Sequence, residues 1–176
     1  MPDTTSLSLL NSELLEQYCL GLVAKKLLKD GYTLATAESC TGGLIAAACT
    51  SLPGSSGWFD RGFVTYSNAA KTEQLGVDAA LIAEHGAVSE PVVRAMAFGA
   101  ARHSKAHVTI AVTGVAGPTG GSAAKPVGTV WFGFSLHGML HSEVQHFAGD
   151  RAAVRDSAVR HALQRVLVLL EDDPHV

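Results

Sequence analysis

The sequence predicts an α/β fold: one domain over residues 1–176, built as three layers (α/β/α) around a mixed, mostly parallel sheet with one C-terminal β-hairpin. Three observations predict it. Segments with apolar residues every three or four positions alternate with short apolar runs of strand character. A two-residue turn signal, His137-Gly138, joins two late strand-like runs. Hydrophobic residues make up 47% of the 176 and charged residues 16%, enough to bury a core without disulfide or metal staples.

The elements follow in order. Leu14, Leu15, Tyr18, Leu22, Val23, Leu27 and Leu28 recur at helical spacing and predict an amphipathic helix over 8–29, closed by Asp30-Gly31 with glycine as the left-handed cap. "YTLATAES" (32–39) reads as a short buried strand. "TGGLIAAACTSL" (41–52) reads as a helix whose small side chains suit close packing over a sheet. "PGSSGWF" is a loop and "RGFVTYSN" (61–68) a second strand. Helices are expected around 69–75, near 79–84, and from Pro91 to Lys105, the proline fitting a first turn capped by Ser89. "HVTIAVTGVAG" (107–117) is a strand running into glycine-rich backbone. "PVGTVWFGFSL" and "MLHSEVQHFAG" form the hairpin. Asp150 caps a last helix striped by Val154, Ala158, Ala162, Val166 and Leu170. The Val/Leu-rich end of that helix is either core or the interface of a homo-oligomer.

A net charge of −3 gives no electrostatic reason to expect nucleic acid or an anionic membrane as partner. The first residues lack a basic region followed by an apolar run and a cleavage site, and no apolar run reaches 18 residues, so neither a signal peptide nor a membrane span is expected. Cys19 and Cys49 sit in apolar helical patterns, and with Cys40 they make an odd number. They read as reduced thiols of a cytoplasmic protein. None of the eight histidines has metal-ligand spacing with a second His or Cys, so neither a metal nor a cofactor is expected.

Residues able to do chemistry concentrate in three segments, each just after an expected strand: Glu38 to Gly43, Tyr66-Ser67-Asn68 with Lys71, and Thr113 to Pro118 running on to Lys125. The carboxyl ends of strands line the ligand crevice in open α/β sheets, so three such segments point to a site. In the first, Ser39 or Thr41 reads as a helix cap. Ser39 also reads as a nucleophile at a strand-to-helix turn, with the amides after it facing an oxyanion and with Gly42 and Gly43 letting backbone approach a substrate. Cys40 is the rival nucleophile, although a small thiol is more often core filler.

Serine needs a base. No histidine lies in the three segments, whereas Lys71 falls on the first turn of a helix starting at Asn68, where the helix dipole and burial both lower an amine's pKa. A neutral lysine would serve as base in the serine–lysine variant of the triad, with Tyr66 relaying a proton or holding the lysine. "TGVAGPTGG" is not a P-loop and lacks the dinucleotide fingerprint. It reads either as a mobile loop or as backbone turned toward a phosphate, with Lys125 adding a point charge.

"TAESCTGG", "VTYSNAAKTEQLGV", "GAVSEPVVRAMA", "AVTGVAGPTGG", "KPVGTVWFGF" and "FAGDRAAVRDSAV", in this order over about residues 10–170, resemble the C-terminal domain of the competence/damage-inducible CinA proteins and their stand-alone relatives, the nicotinamide-nucleotide amidases. The resemblance implies an amidohydrolase that converts the carboxamide of nicotinamide mononucleotide (NMN) to a carboxylate and ammonia. It implies Ser39 as nucleophile, Lys71 as base with Tyr66 beside it, and Thr113, Gly114 and Gly117 in the nucleotide and oxyanion region. Thr41, Gly42 and Gly43 would border the substrate. The ribose phosphate would take glycine-loop amides, Lys125 or Arg61. Thr119 stands where relatives often carry glycine or aspartate, which bears on loop shape. The larger N-terminal domain of full-length members has no counterpart in these residues, and activity resting on it is not expected.

Two other readings compete. One is a non-catalytic nucleotide-binding or regulatory module. The other is a short-chain oxidoreductase, suggested by a nearby Tyr and Lys. There the pair stands four apart on one helix; here it is five apart and the cofactor fingerprint is missing.

Overall fold

Residues 12–173 are described by a computed structural model of the chain. Helix α1 (Ser12–Asp30) leads to β1 (Leu34–Glu38), α2 (Leu44–Ser51), a 3₁₀ turn (Ser55–Gly57) and β2 (Phe59–Val64). Then come α3 (Asn68–Leu75), α4 (Ala79–His85), α5 (Glu90–Arg102), β3 (Val108–Gly114), β4 (Thr129–Leu136), β5 (Met139–His146) and α6 (Arg151–Glu171).

The sheet runs β2-β1-β3-β4-β5. Its core is parallel, β1 pairing with β2 and with β3, and the β4–β5 hairpin extends it antiparallel from β3. Central β3 is buried over nearly its whole length, as its continuous Val/Ile/Ala run requires of a strand covered on both faces. Helices α1, α2 and α6 cover one face and α3, α4 and α5 the other, which gives the expected three layers. The first core centres on Leu27, Leu34, Ile110, Phe132, Phe134 and Val166; the second on Leu75, Val92, Met96 and Ala111.

Several boundaries and faces differ from the sequence expectation. Residues 8–11 of the first expected helix lie outside the described residues. Its buried face is Leu20, Val23, Ala24 and Leu27, while Leu14, Tyr18 and Leu28 are exposed. The helix carries two overlapping apolar stripes, and the one containing small Ala24 packs inward, where α1 meets α6. Strand β2 starts at Phe59 and ends at Val64, so Tyr66, Ser67 and Asn68 follow it rather than finish it. As an edge strand it is only partly buried, which hides its start from hydrophobic patterning. The expected strand over 107–117 stops at Gly114.

The expected stripe of α6 is buried at all five positions, and Asp150 caps it by accepting the Ala153 amide at 2.9 Å. Its Val/Leu-rich end is mainly core, with Val166, Leu169 and Leu170 buried and Val168 exposed. Ser89 occupies the cap position of α5, but its hydroxyl donates to the Gly86 carbonyl instead of receiving a helix amide. No helix among the described residues is long and apolar enough to cross a membrane.

Candidate active site

Because β2, β1 and β3 are parallel and in register, with Glu38 opposite both Val64 and Val112, their carboxyl ends open on one edge. All three polar segments leave the sheet there. Ser39 follows β1 directly and stays in line with it, its amide donating to the Val112 carbonyl at 3.0 Å. The chain then turns into α2 through Gly42 (φ 61°) and Gly43 (φ 98°), left-handed conformations that a side chain disfavours.

Lys71, on the first turn of α3, reaches back under the edge. Its side chain is 1% exposed, and Nζ lies 3.1 Å from Ser39 Oγ and 2.9 Å from the Thr65 carbonyl. Burial holds its amine below the ordinary lysine value, with the neighbouring Cys40 working weakly the other way. A neutral amine has a lone pair for the serine O–H while one of its own N–H groups donates to Thr65. Cys40 points into the core on the α6 side, and burial pushes its thiol up to about 11, helped by the charge of Glu38. At neutral pH it is a thiol packed as filler.

The turn after Ser39 corrects one expectation. Gly42 N donates to the Ser39 carbonyl, Gly43 N to Glu38 Oε2, and the Ile45 and Ala46 amides to Glu38 Oε2 and Oε1. These amides are therefore engaged and do not face an oxyanion. The glycines serve the turn. The amides of Cys40 and Thr41 lie beside the Cys40 sulfur. Thr41 does not cap α2 either: the cap position is Gly43, and the hydroxyl of Thr41 is buried without a hydrogen-bond partner.

Two arginines of α6, four residues apart, lace the three segments together. Arg155 donates to the Cys40 and Thr41 carbonyls at 3.1 and 3.0 Å. Arg151 donates to the Gly117 carbonyl at 2.9 Å and to the hydroxyl of exposed Tyr66 at 2.7 Å. Tyr66 is thus held by Arg151, not by the lysine. An open pocket of about 630 Å³, within the usual range for ligand sites, is lined by Ala116, Pro118, Val127, Asp150, Arg151 and Arg155. Ser39 is not in its lining, but Arg155 walls the pocket on one side and grips the Ser39 turn on the other.

The glycine-rich segment is braced rather than open. A Cβ on Gly117 would lie 2.5 Å from Val127 Cγ1, and one on Gly128 would lie 2.0 Å from the Phe147 carbonyl oxygen. Glycine is needed there for close packing. Thr113 is buried with its hydroxyl on the Ala87 carbonyl, Gly114 ends β3 against Val130 of β4, and Lys125 Nζ donates to the His85 carbonyl. Arg61 is not at this edge. It lies opposite Ala35 in β2 and binds Asp60 and the His103 carbonyl toward the other end of the sheet.

Four residues that build this edge have no role of their own in the sequence reading: Glu38, Thr65, Arg151 and Arg155. Glu38 left a trace, being a lone acid closing the buried run Leu34–Glu38. The arginines left another, two cations one turn apart directly after a helix cap. Thr65 acts through its backbone carbonyl, which residue type does not reveal.

A mixed sheet covered on both faces, with polar segments converging at the carboxyl edge of its parallel strands on a buried lysine and a serine, defines the class of the protein: an α/β domain with a single-edge polar site. The chain belongs to the CinA C-terminal domain family, which it matches over residues 17–170. It is 54% identical over 146 residues to a nicotinamide-nucleotide amidohydrolase PncC of Enterobacter agglomerans, covering 82% of this chain and 89% of that protein. The protein of the same name from Escherichia coli K12 is 52% identical over 145 residues, covering 81% and 87%. Among solved structures, the competence damage-inducible protein A of Klebsiella pneumoniae superposes with a TM-score of 0.87 at 40% identity, covering 89% of this chain and 98% of that one.

Proposed function

We propose that this chain is a single-domain amidohydrolase that converts NMN to nicotinate mononucleotide and ammonia. The relatives named as nicotinamide-nucleotide amidohydrolases, matched over most of their length, support the substrate. The observation that carries the chemistry is the buried Lys71 amine within hydrogen-bond reach of Ser39 Oγ.

Neutral Lys71 accepts the Ser39 proton as Oγ attacks the carboxamide carbon. The oxyanion is received by the amides of Cys40 and Thr41, which do not serve Glu38. The C–N bond then breaks as Lys71 returns its proton to the departing nitrogen, releasing ammonia and leaving an ester on Ser39. Water attacks that ester with Lys71 again taking the proton, and the acid product leaves as Ser39 regains its hydrogen. The nucleotide occupies the pocket beside α6, its phosphate received by Arg151, which lines that space while its guanidinium also holds Gly117 and Tyr66. Three free, buried cysteines suit a reducing compartment such as the cytoplasm.

Ammonia release from NMN by the parent chain and by Ser39→Ala tests the reading. Stoichiometric release by the parent and none by the variant is expected. NMN bound but never converted by the parent would favour the non-catalytic nucleotide-binding reading instead.

A further inference from the structure

Glu38 has no role in the chemistry above, yet it is the most constrained polar side chain near it. It is fully buried at the end of β1, and among the described residues no cation pairs with it. Four donors compensate its carboxylate: the Gly43 and Ile45 amides on Oε2, and the Ala46 amide with the Thr36 hydroxyl on Oε1, all between 2.8 and 3.1 Å. Three of these belong to the end of the Ser39–Gly43 turn and the first turn of α2. The acid thus ties the residue before the nucleophile to the helix after it, closing the turn like a clasp.

We propose that Glu38 is a positioning residue whose carboxylate holds the 39–43 turn in the one shape that sets Ser39 Oγ on the Lys71 amine. This rests on the serine–lysine reading of the site. The alternative, an acid that only stabilises the fold, is unlike it in consequence. Lys71 is anchored independently, by its own helix and by Thr65, so loosening the turn moves one partner of the pair and leaves the other in place. Reacting groups displaced by about 1 Å lose rate on the order of 10²-fold. Glu38 itself touches neither the pocket nor its arginines, and Arg155, which meets the turn through the Cys40 and Thr41 carbonyls, is carried by α6, so binding changes far less than turnover.

The test compares parent, Glu38→Gln and Glu38→Ala for NMN turnover, with the rate at which a fluorophosphonate labels Ser39 as a substrate-free readout of the same hydroxyl. Glutamine keeps the shape but turns an NH₂ toward amide donors. We expect kcat to fall about 10²-fold with KM within about twofold of the parent, and labelling to slow in parallel. Added formate, a carboxylate small enough for the vacated space, is expected to restore both rates in Glu38→Ala, while chloride does not. Parent-like kcat in Glu38→Gln, a loss confined to KM, or failure of formate to restore Glu38→Ala overturns the proposal. If neither variant folds, Thr36→Val, which removes only the hydroxyl donor to Oε1, decides: a several-fold loss in kcat at constant KM supports the clasp and an unchanged kcat overturns it. Ser39→Ala run alongside keeps the two claims apart, since an active serine variant defeats the nucleophile assignment whatever Glu38 does.

Discussion

Lys71 Nζ lies 3.1 Å from Ser39 Oγ although 32 residues separate them, and the amine is buried beside a thiol, a hydroxyl and a carbonyl, with no carboxylate among the described residues paired to it. That contact depends on the parallel pairing of β1 and β2, which delivers the turn after one and the helix after the other to the same edge.

The first prediction concerns pH. The proposed reaction uses neutral Lys71, and burial lowers its pKa from the ordinary 10.5. Activity is therefore expected to be low in acid and to rise to a plateau as pH climbs through that lowered value. Linkage gives stability the same direction. Between the folded and unfolded pKa values of this group the unfolded chain holds the extra proton, so stability rises with pH across that window and is least below it. A pH profile of kcat/KM and denaturant unfolding at several pH values check both.

Lys71→Met separates function from stability. It removes an amine whose charging is penalised by burial and keeps most of the side-chain volume. We expect kcat to fall about 10²- to 10⁴-fold, the loss typical of a missing general base. At pH 7 the thermal midpoint is expected at or above the parent's, where each kcal/mol is worth roughly 2–4 °C in a chain of this size. Turnover and a thermal melt of the same sample read both.

Arg151→Gln should weaken nucleotide binding. With the guanidinium gone, KM for NMN is expected to rise about tenfold, while the uncharged riboside, lacking the phosphate, changes much less. Arg61→Gln serves as the contrast, since Arg61 binds Asp60 and the His103 carbonyl away from the site, and its KM should match the parent's.

The layering, the hairpin and the last helix were legible in the residues because each has an unambiguous apolar period or turn. The pairing of Ser39 with Lys71 was legible as a wager from residue type and strand ends. Arg61 failed because sequence reports that a cation exists but not at which end of a strand its side chain finds partners. Gly42, Gly43 and Gly117 were legible as special positions, yet their purpose was not: left-handed backbone and close packing leave the same residue as substrate approach does. Arg155 comes from a helix 114 or more positions away from the turn it braces, and Arg151 reaches Tyr66 across 85 positions, juxtapositions that only the packed α6 reveals.

Cys40→Ala tests the choice of nucleophile. Its thiol is raised to about 11 and packed in the core, so turnover should stay within about twofold of the parent, with a stability cost from the small cavity. Iodoacetamide at neutral pH should leave the folded parent active.

The most direct measurement is mass spectrometry of the chain quenched in acid during turnover of NMN. An ester on the peptide carrying Ser39, with the mass of the nucleotide less ammonia and absent from Ser39→Ala, is the predicted result. Steady turnover by a Ser39→Ala chain that never carries such an adduct would contradict it.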